Sequence, residues 1–91
     1  MIKQLHVKIS GQVQGVGFRY SAREKAKELG LTGWAKNLPD STIEILAQGK
    51  KENLDIFLEW AQKGPSFAEV ESVEHDWQGV GDIFDSFEIV V

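Results

Sequence analysis

The apolar residues of this chain switch back and forth between two-residue and helical spacing, and the order of the switches leaves few folds open. Leu5, Val7 and Ile9 alternate with His6, Lys8 and Ser10, which predicts a strand with one buried face. Phe18, Ala22, Ala26 and Leu29 then recur at helical spacing, with Arg, Glu and Lys between them and Gly30 where a C-terminal cap belongs. A capping box of Ser21 and Glu24 would begin that helix at Ala22, whereas a start near Phe18 would put Arg19 in its first turn. The sequence leaves both starts open. Leu31 to Asn37 reads as a second strand, Leu38-Pro39-Asp40-Ser41 as a turn, and Ile43, Ile45 and Ala47 as inward positions of a third strand closed by Gly49. Leu54, Phe57, Leu58 and Ala61 mark a second helix, which Gly64-Pro65 ends. Val70, Val73 and Trp77 predict a fourth strand, irregular near Glu71-Ser72; Gln78 to Asp85 reads as a loop, and Phe87, Ile89 and Val91 as a short closing strand.

The order β, α, β, β, α, β predicts an α+β, ferredoxin-like βαββαβ sandwich, an antiparallel sheet with both helices on one face. In that topology the first two strands run parallel with the third between them. Their C-terminal ends then share an edge, so the segment after the first strand and Asn37 should be neighbours.

Ninety-one residues are expected to make one domain, 1–91, with a modest core; a chain of this size buries somewhat above about 60% of its unfolded surface. The absence of cysteine excludes disulfides, thiolate metal sites and thiol catalysis. His6 and His75 are a poor metal set, and no structural metal is expected. Polar residues run through the N-terminal segment and no stretch reaches membrane-spanning length, so a cytoplasmic protein without a membrane partner is expected. A net charge of −4 argues against general nucleic-acid binding, which draws its strength from neutralising phosphates. RNA binding on an open sheet face would also need aromatic residues on the first and third strands, where the chain has Leu5, Val7, Ile43 and Ile45.

The chemistry is concentrated in Gly11-Gln12-Val13-Gln14-Gly15-Val16-Gly17-Phe18-Arg19, which leads from the first strand into the first helix. Glycines let a loop turn its N–H groups inward, a helix start adds unpaired N–H groups, and a guanidinium can grip two oxygens of a tetrahedral anion. Phosphate is the natural guest. A tight turn with a solvated arginine is the simpler alternative for such a loop in isolation. It also lacks the third glycine of a dinucleotide fingerprint and the Gly-Lys-Ser/Thr ending of a P-loop.

With Gly30-Leu31-x-Gly33-Trp34-x-x-Asn37, Asp40, Gly49, Gly64-Pro65, Ala68, Val70 and Phe87-x-Ile89, this loop resembles the acylphosphatases, and the likeness covers essentially the whole chain. The family's fold is ferredoxin-like, and its activity is hydrolysis of the carboxyl-phosphate bond of acyl phosphates. The resemblance implies that Arg19 and the backbone N–H groups of Gln14, Gly15, Val16, Gly17, Phe18 and Arg19 bind the phosphoryl group, and that Asn37 orients the attacking water. It implies no metal and no cofactor, and a small-molecule acyl phosphate as substrate; inorganic phosphate, the product, is expected to compete because such a site recognises the phosphoryl oxygens, and a monomer is expected. Thr42 matches a position that carries a hydroxyl near the asparagine in some relatives, and would hold the Asn37 amide. The chain departs from the family at Ser41, often glycine there; a turn needing positive φ would strain serine.

These groups suffice because the leaving group is a carboxylate, whose conjugate acid has a pKa of about 4 if it resembles an Asp or Glu side chain. It departs without a proton, so what remains is positioning a water and holding charge. Taken without the resemblance, Asn37 would more simply cap the turn before Pro39. Trp34, Trp60 and Trp77 read as packing residues, Glu69, Glu71, Glu74 and Asp76 as a solvated face, and a non-catalytic module binding a phosphorylated metabolite is the main competitor.

Overall fold

A computed structural model describes residues 1–91. Its elements are β1 (Lys3–Gln12), α1 (Phe18–Glu28), β2 (Thr32–Asn37), β3 (Ile43–Gly49), α2 (Lys51–Ala61), β4 (Glu69–Gln78) and β5 (Phe87–Val90). The strands form one sheet in the order β4-β1-β3-β2-β5. The four longer strands pair antiparallel, as the α+β ferredoxin-like pattern requires, and β5 is added in parallel beyond β2.

Alternation decides which face of the sheet the helices cover. Leu5, Val7 and Ile9 of β1 and Ile43, Ile45 and Ala47 of β3 are fully buried, with Phe18, Ala22 and Ala26 of α1 and Leu54, Phe57 and Ala61 of α2 closing over them. Trp60 is packed against this core, its ring centroid 5.4 Å from that of Phe18 and 5.7 Å from that of Phe57. The opposite face of β1 and β3 carries Gln4, His6, Lys8, Glu44, Leu46 and Gln48. Leu5, Val7, Ile43 and Ile45 therefore lie under the helices and not on the open face, a correction that still leaves no aromatic ring there on β1 or β3.

Element ends differ from the sequence pattern where backbone bonding overrides it. The first helix starts at Phe18: Ser21 already donates its N–H to the Gly17 carbonyl at 2.9 Å, so it is helical and caps nothing. Leu31 donates to the Ala26 carbonyl at 2.8 Å, which finishes the helix and delays β2 to Thr32. The irregularity in β4 is a register shift that pairs Ser10 with Ser72 and Gly11 with Val70, leaving Glu71 without an opposite number. Strand β4 runs on through Gln78, whereas Val91 lies beyond the last rung that β2 offers and is exposed.

Candidate active site

The loop between β1 and α1 is a concavity lined with unused donors. Gly15 and Gly17 have φ of 76° and 77°, left-handed values that cost a side chain about 1–2 kcal/mol. A Cβ at either would meet nothing within 4 Å, so the backbone angle, not crowding, calls for glycine here. No N–H from Gln14 to Tyr20 donates to a main-chain carbonyl, the first helical bond being that of Ser21 to Gly17. Alternating positive-φ positions and a bare helix start are the ingredients of an anion-binding nest.

Asn37 is the last residue of β2 and pairs with Ile43. Because β1 and β2 run parallel on either side of β3, their C-terminal ends meet, and Arg19, Asn37, Gly15, Gly17 and Phe18 line one cleft of about 160 Å³ with Val13, Tyr20 and Ile89. The Asn37 Oδ1 is buried and has no hydrogen-bond partner, an arrangement that costs free energy in a folded chain. Arg19 donates from Nη1 to the Val90 carbonyl at 3.2 Å, so the C-terminal strand fixes the guanidinium and leaves its other donors free.

The remaining expected site residues are arranged differently. Phe18 is 1% exposed with its ring in the core, so only its amide can face the cleft, and Val16 packs against the core. The Gln14 side chain is a finding the sequence did not announce. Its Nε2 donates to the carbonyls of Leu38 and Thr42, both at 2.9 Å, and ties the glycine loop to the β2–β3 turn one residue beyond Asn37. No local signal marks it; only the topology brings positions 14 and 38–42 together.

That turn is capped by Asp40. Its Oδ1 accepts from the Thr42 N–H at 3.1 Å and from the Thr42 hydroxyl, and Lys8 Nζ lies 3.3 Å from its other oxygen. The Thr42 hydroxyl donates to Asp40 and makes no hydrogen bond with the Asn37 amide, which corrects that expectation. Nor does Asn37 cap the turn. The Thr42 hydroxyl, then its N–H, and then Lys8 keep the Asp40 carboxyl below its ordinary value. Ser41, in the same turn, has φ of 74°.

A larger cleft, about 520 Å³, lies along α1 and β5, where it sets Arg23 and Lys27 against Asp85 and Glu88. Its charges are of mixed sign and nothing converges in it, so the smaller cleft is the better candidate. No group of three or more His, Cys, Asp or Glu side chains is placed to hold a metal ion, and no helix is long and apolar enough to cross a membrane.

The acylphosphatase family model matches residues 5–89 of the sequence. The chain belongs to the acylphosphatase family. An acylphosphatase from Acaryochloris marina is 50% identical over 82 residues, covering 90% of this chain and 87% of that protein. The structure of an acylphosphatase from Coxiella burnetii superposes with a TM-score of 0.93 at 42% identity, over 98% of this chain and 93% of the other. That of the acylphosphatase from Bacillus subtilis gives 0.94 at 35% identity over the whole of both chains. Membership in the acylphosphatases makes this chain a hydrolase of acyl phosphates.

Proposed function

We propose that this chain, acting as a single-domain monomer in the cytoplasm, hydrolyses a small-molecule acyl phosphate whose phosphoryl group is held by Arg19 and the amides of residues 14–19, with Asn37 orienting the water. The observation that carries this reading is the convergence on one cleft of Arg19, the glycine loop and Asn37, whose side-chain carbonyl oxygen is buried and unpartnered. Arg19 and the loop amides balance the negative charge of the phosphoryl oxygens, charge they are already positioned to meet. The Asn37 Oδ1 accepts from the water and aims it without deprotonating it. The water oxygen attacks phosphorus, the bond from phosphorus to the acyl oxygen breaks, and its electron pair leaves as carboxylate; the water's protons pass to phosphate and solvent. Neither a metal nor a cofactor has a step to perform, because the leaving group is already a stable anion. Inorganic phosphate presents the same oxygens and competes. Nucleic acid and membrane are not partners in this reading, which the local character of the positive charge on a chain of net charge −4 supports.

Asn37→Ala tests the proposal. The contact is made to the nucleophile, so kcat should fall roughly 10²-fold to 10³-fold, about 2.7–4 kcal/mol, while inhibition by inorganic phosphate hardly changes. Unchanged kcat in a folded variant would sink the role given to Asn37. Equal losses of turnover and phosphate inhibition would mean that it touches the phosphoryl group instead.

A further inference from the structure

At about 160 Å³ the cleft falls well short of the roughly 300–1,000 Å³ of pockets that enclose a drug-sized ligand. A phosphoryl group fills it, and the acyl part of the substrate must lie outside, across the mouth. What stands at the mouth then decides which acyl groups bind well. Of the lining residues, Val13 and Phe18 are buried, and Arg19, Asn37 and Ile89 are half-buried; apart from the glycines, only Tyr20 is exposed, at 57%. Tyr20 is in the first turn of α1, and helical side chains lean toward the helix N-terminus, here toward the open glycine loop. Its ring is not free to wander, because the Arg23 guanidinium carbon lies 5.2 Å from the ring centroid. Arg23 Nε is buried without a hydrogen-bond partner, and its nearest carboxylate oxygen, on Glu24, is 3.6 Å away. The Tyr20 ring and the Glu24 carboxylate are the contacts of Arg23, and Tyr20, 57% exposed, keeps free ring surface at the mouth of the cleft.

Resting on the reading of the cleft as the phosphoryl site, we infer that Tyr20, braced by Arg23, is a specificity-determining residue whose free ring surface packs on a flat, apolar acyl group, so that aryl acyl phosphates are the preferred class. A methyl group is too small to cover the ring, and an aryl group stacks on it. The chemistry is unchanged by the choice of acyl group; only the binding of the leaving half differs.

The test compares benzoyl phosphate with acetyl phosphate in wild type, Tyr20→Ala, Tyr20→Phe and Arg23→Met, reading kcat/KM for each. An aromatic contact of ordinary strength predicts that Tyr20→Ala lowers the benzoyl-to-acetyl ratio of kcat/KM by about 3-fold to 10-fold. Tyr20→Phe should keep the ratio, and Arg23→Met, which leaves the ring in place but unbraced, should lower it by less. A ratio that Tyr20→Ala leaves at the wild-type value overturns the inference, as does an equal fall on both substrates, which would mark a scaffold role. In those two outcomes the wild type still hydrolyses acyl phosphates, so the phosphoryl site stands. Were the wild type inactive on both substrates, that reading would fall and take this inference with it.

Discussion

The residues that set the geometry of the site are not all comfortable there. Ser41 holds φ of 74°, a conformation in which glycine meets no steric penalty and serine does. Ser41→Gly should therefore stabilise the protein by about 0.5–1 kcal/mol, the relief of strain being partly offset by the greater freedom of glycine in the unfolded chain. A denaturation midpoint lower than wild type would show that the strain is not borne at this residue. Asp40, next to it, makes the turn sensitive to acid. Its carboxyl is held below the ordinary value of 3.8, chiefly by the Thr42 hydroxyl, so the charged form favours the folded state. The sign follows: that contribution is complete above the pKa of the unfolded carboxyl and is lost as pH falls through the lower folded value. The stability lost between pH 7 and about pH 2 should be smaller in Asp40→Asn than in wild type, measured by urea denaturation at each pH. An equal loss in both would remove Asp40 from the acid response.

At the level of elements, the site is a junction between three parts of the chain: the β1–α1 loop, the end of β2, and the C-terminal strand that holds Arg19 through Val90. Gln14 locks the first two together. Gln14→Leu should strip both bonds to the carbonyls of Leu38 and Thr42, cost about 1–3 kcal/mol of stability and lower kcat more than it weakens phosphate inhibition, because Asn37 is displaced while the loop amides remain. A variant that loses stability and keeps its full kcat would limit the clamp to a structural role. This junction also marks how far the sequence could be read. Alternation and helical spacing place all seven elements, and the order of elements alone brings Asn37 beside the glycine loop. Period does not report what a side-chain amide bonds to after the chain has folded. The expectation that failed was of this kind: the hydroxyl of Thr42 is directed to Asp40 instead of Asn37; and of the two helix starts the sequence left open, the backbone takes the one at Phe18, with Gly17 as its N-cap and not the Ser21–Glu24 box. The clamp of Gln48 was out of reach for the same reason. Its amide bonds Gln4 at 2.8 Å and the Asp82 carbonyl at 2.6 Å, drawing the polar loop before β5 back over the open face of the sheet.

For the molecule as a whole, a net charge of −4 means that an anionic substrate is drawn in by one local site against the general field. If Arg19 and the loop amides are that site, inorganic phosphate binds the folded state and not the unfolded one, and must raise the melting temperature by mass action. At one hundred times its dissociation constant the gain is about 2.7 kcal/mol, roughly ten degrees or more for a chain of this length. Phosphate also stabilises proteins without binding them, through exclusion from their surface, so a rise in wild type alone proves little. Exclusion acts alike on variants that differ by one side chain, and the comparison among them isolates the site. Asn37→Ala, which leaves the phosphoryl contacts intact, should show the full rise. Arg19→Lys keeps a positive charge but loses the paired donors of the guanidinium, so its rise should fall to less than half that of wild type in the same phosphate solution. If calorimetry gave the same rise in all three proteins, phosphate would be acting through the solvent and the glycine loop would not be its binding site. A rise lost in Asn37→Ala but kept in Arg19→Lys would exchange the parts assigned to these two residues.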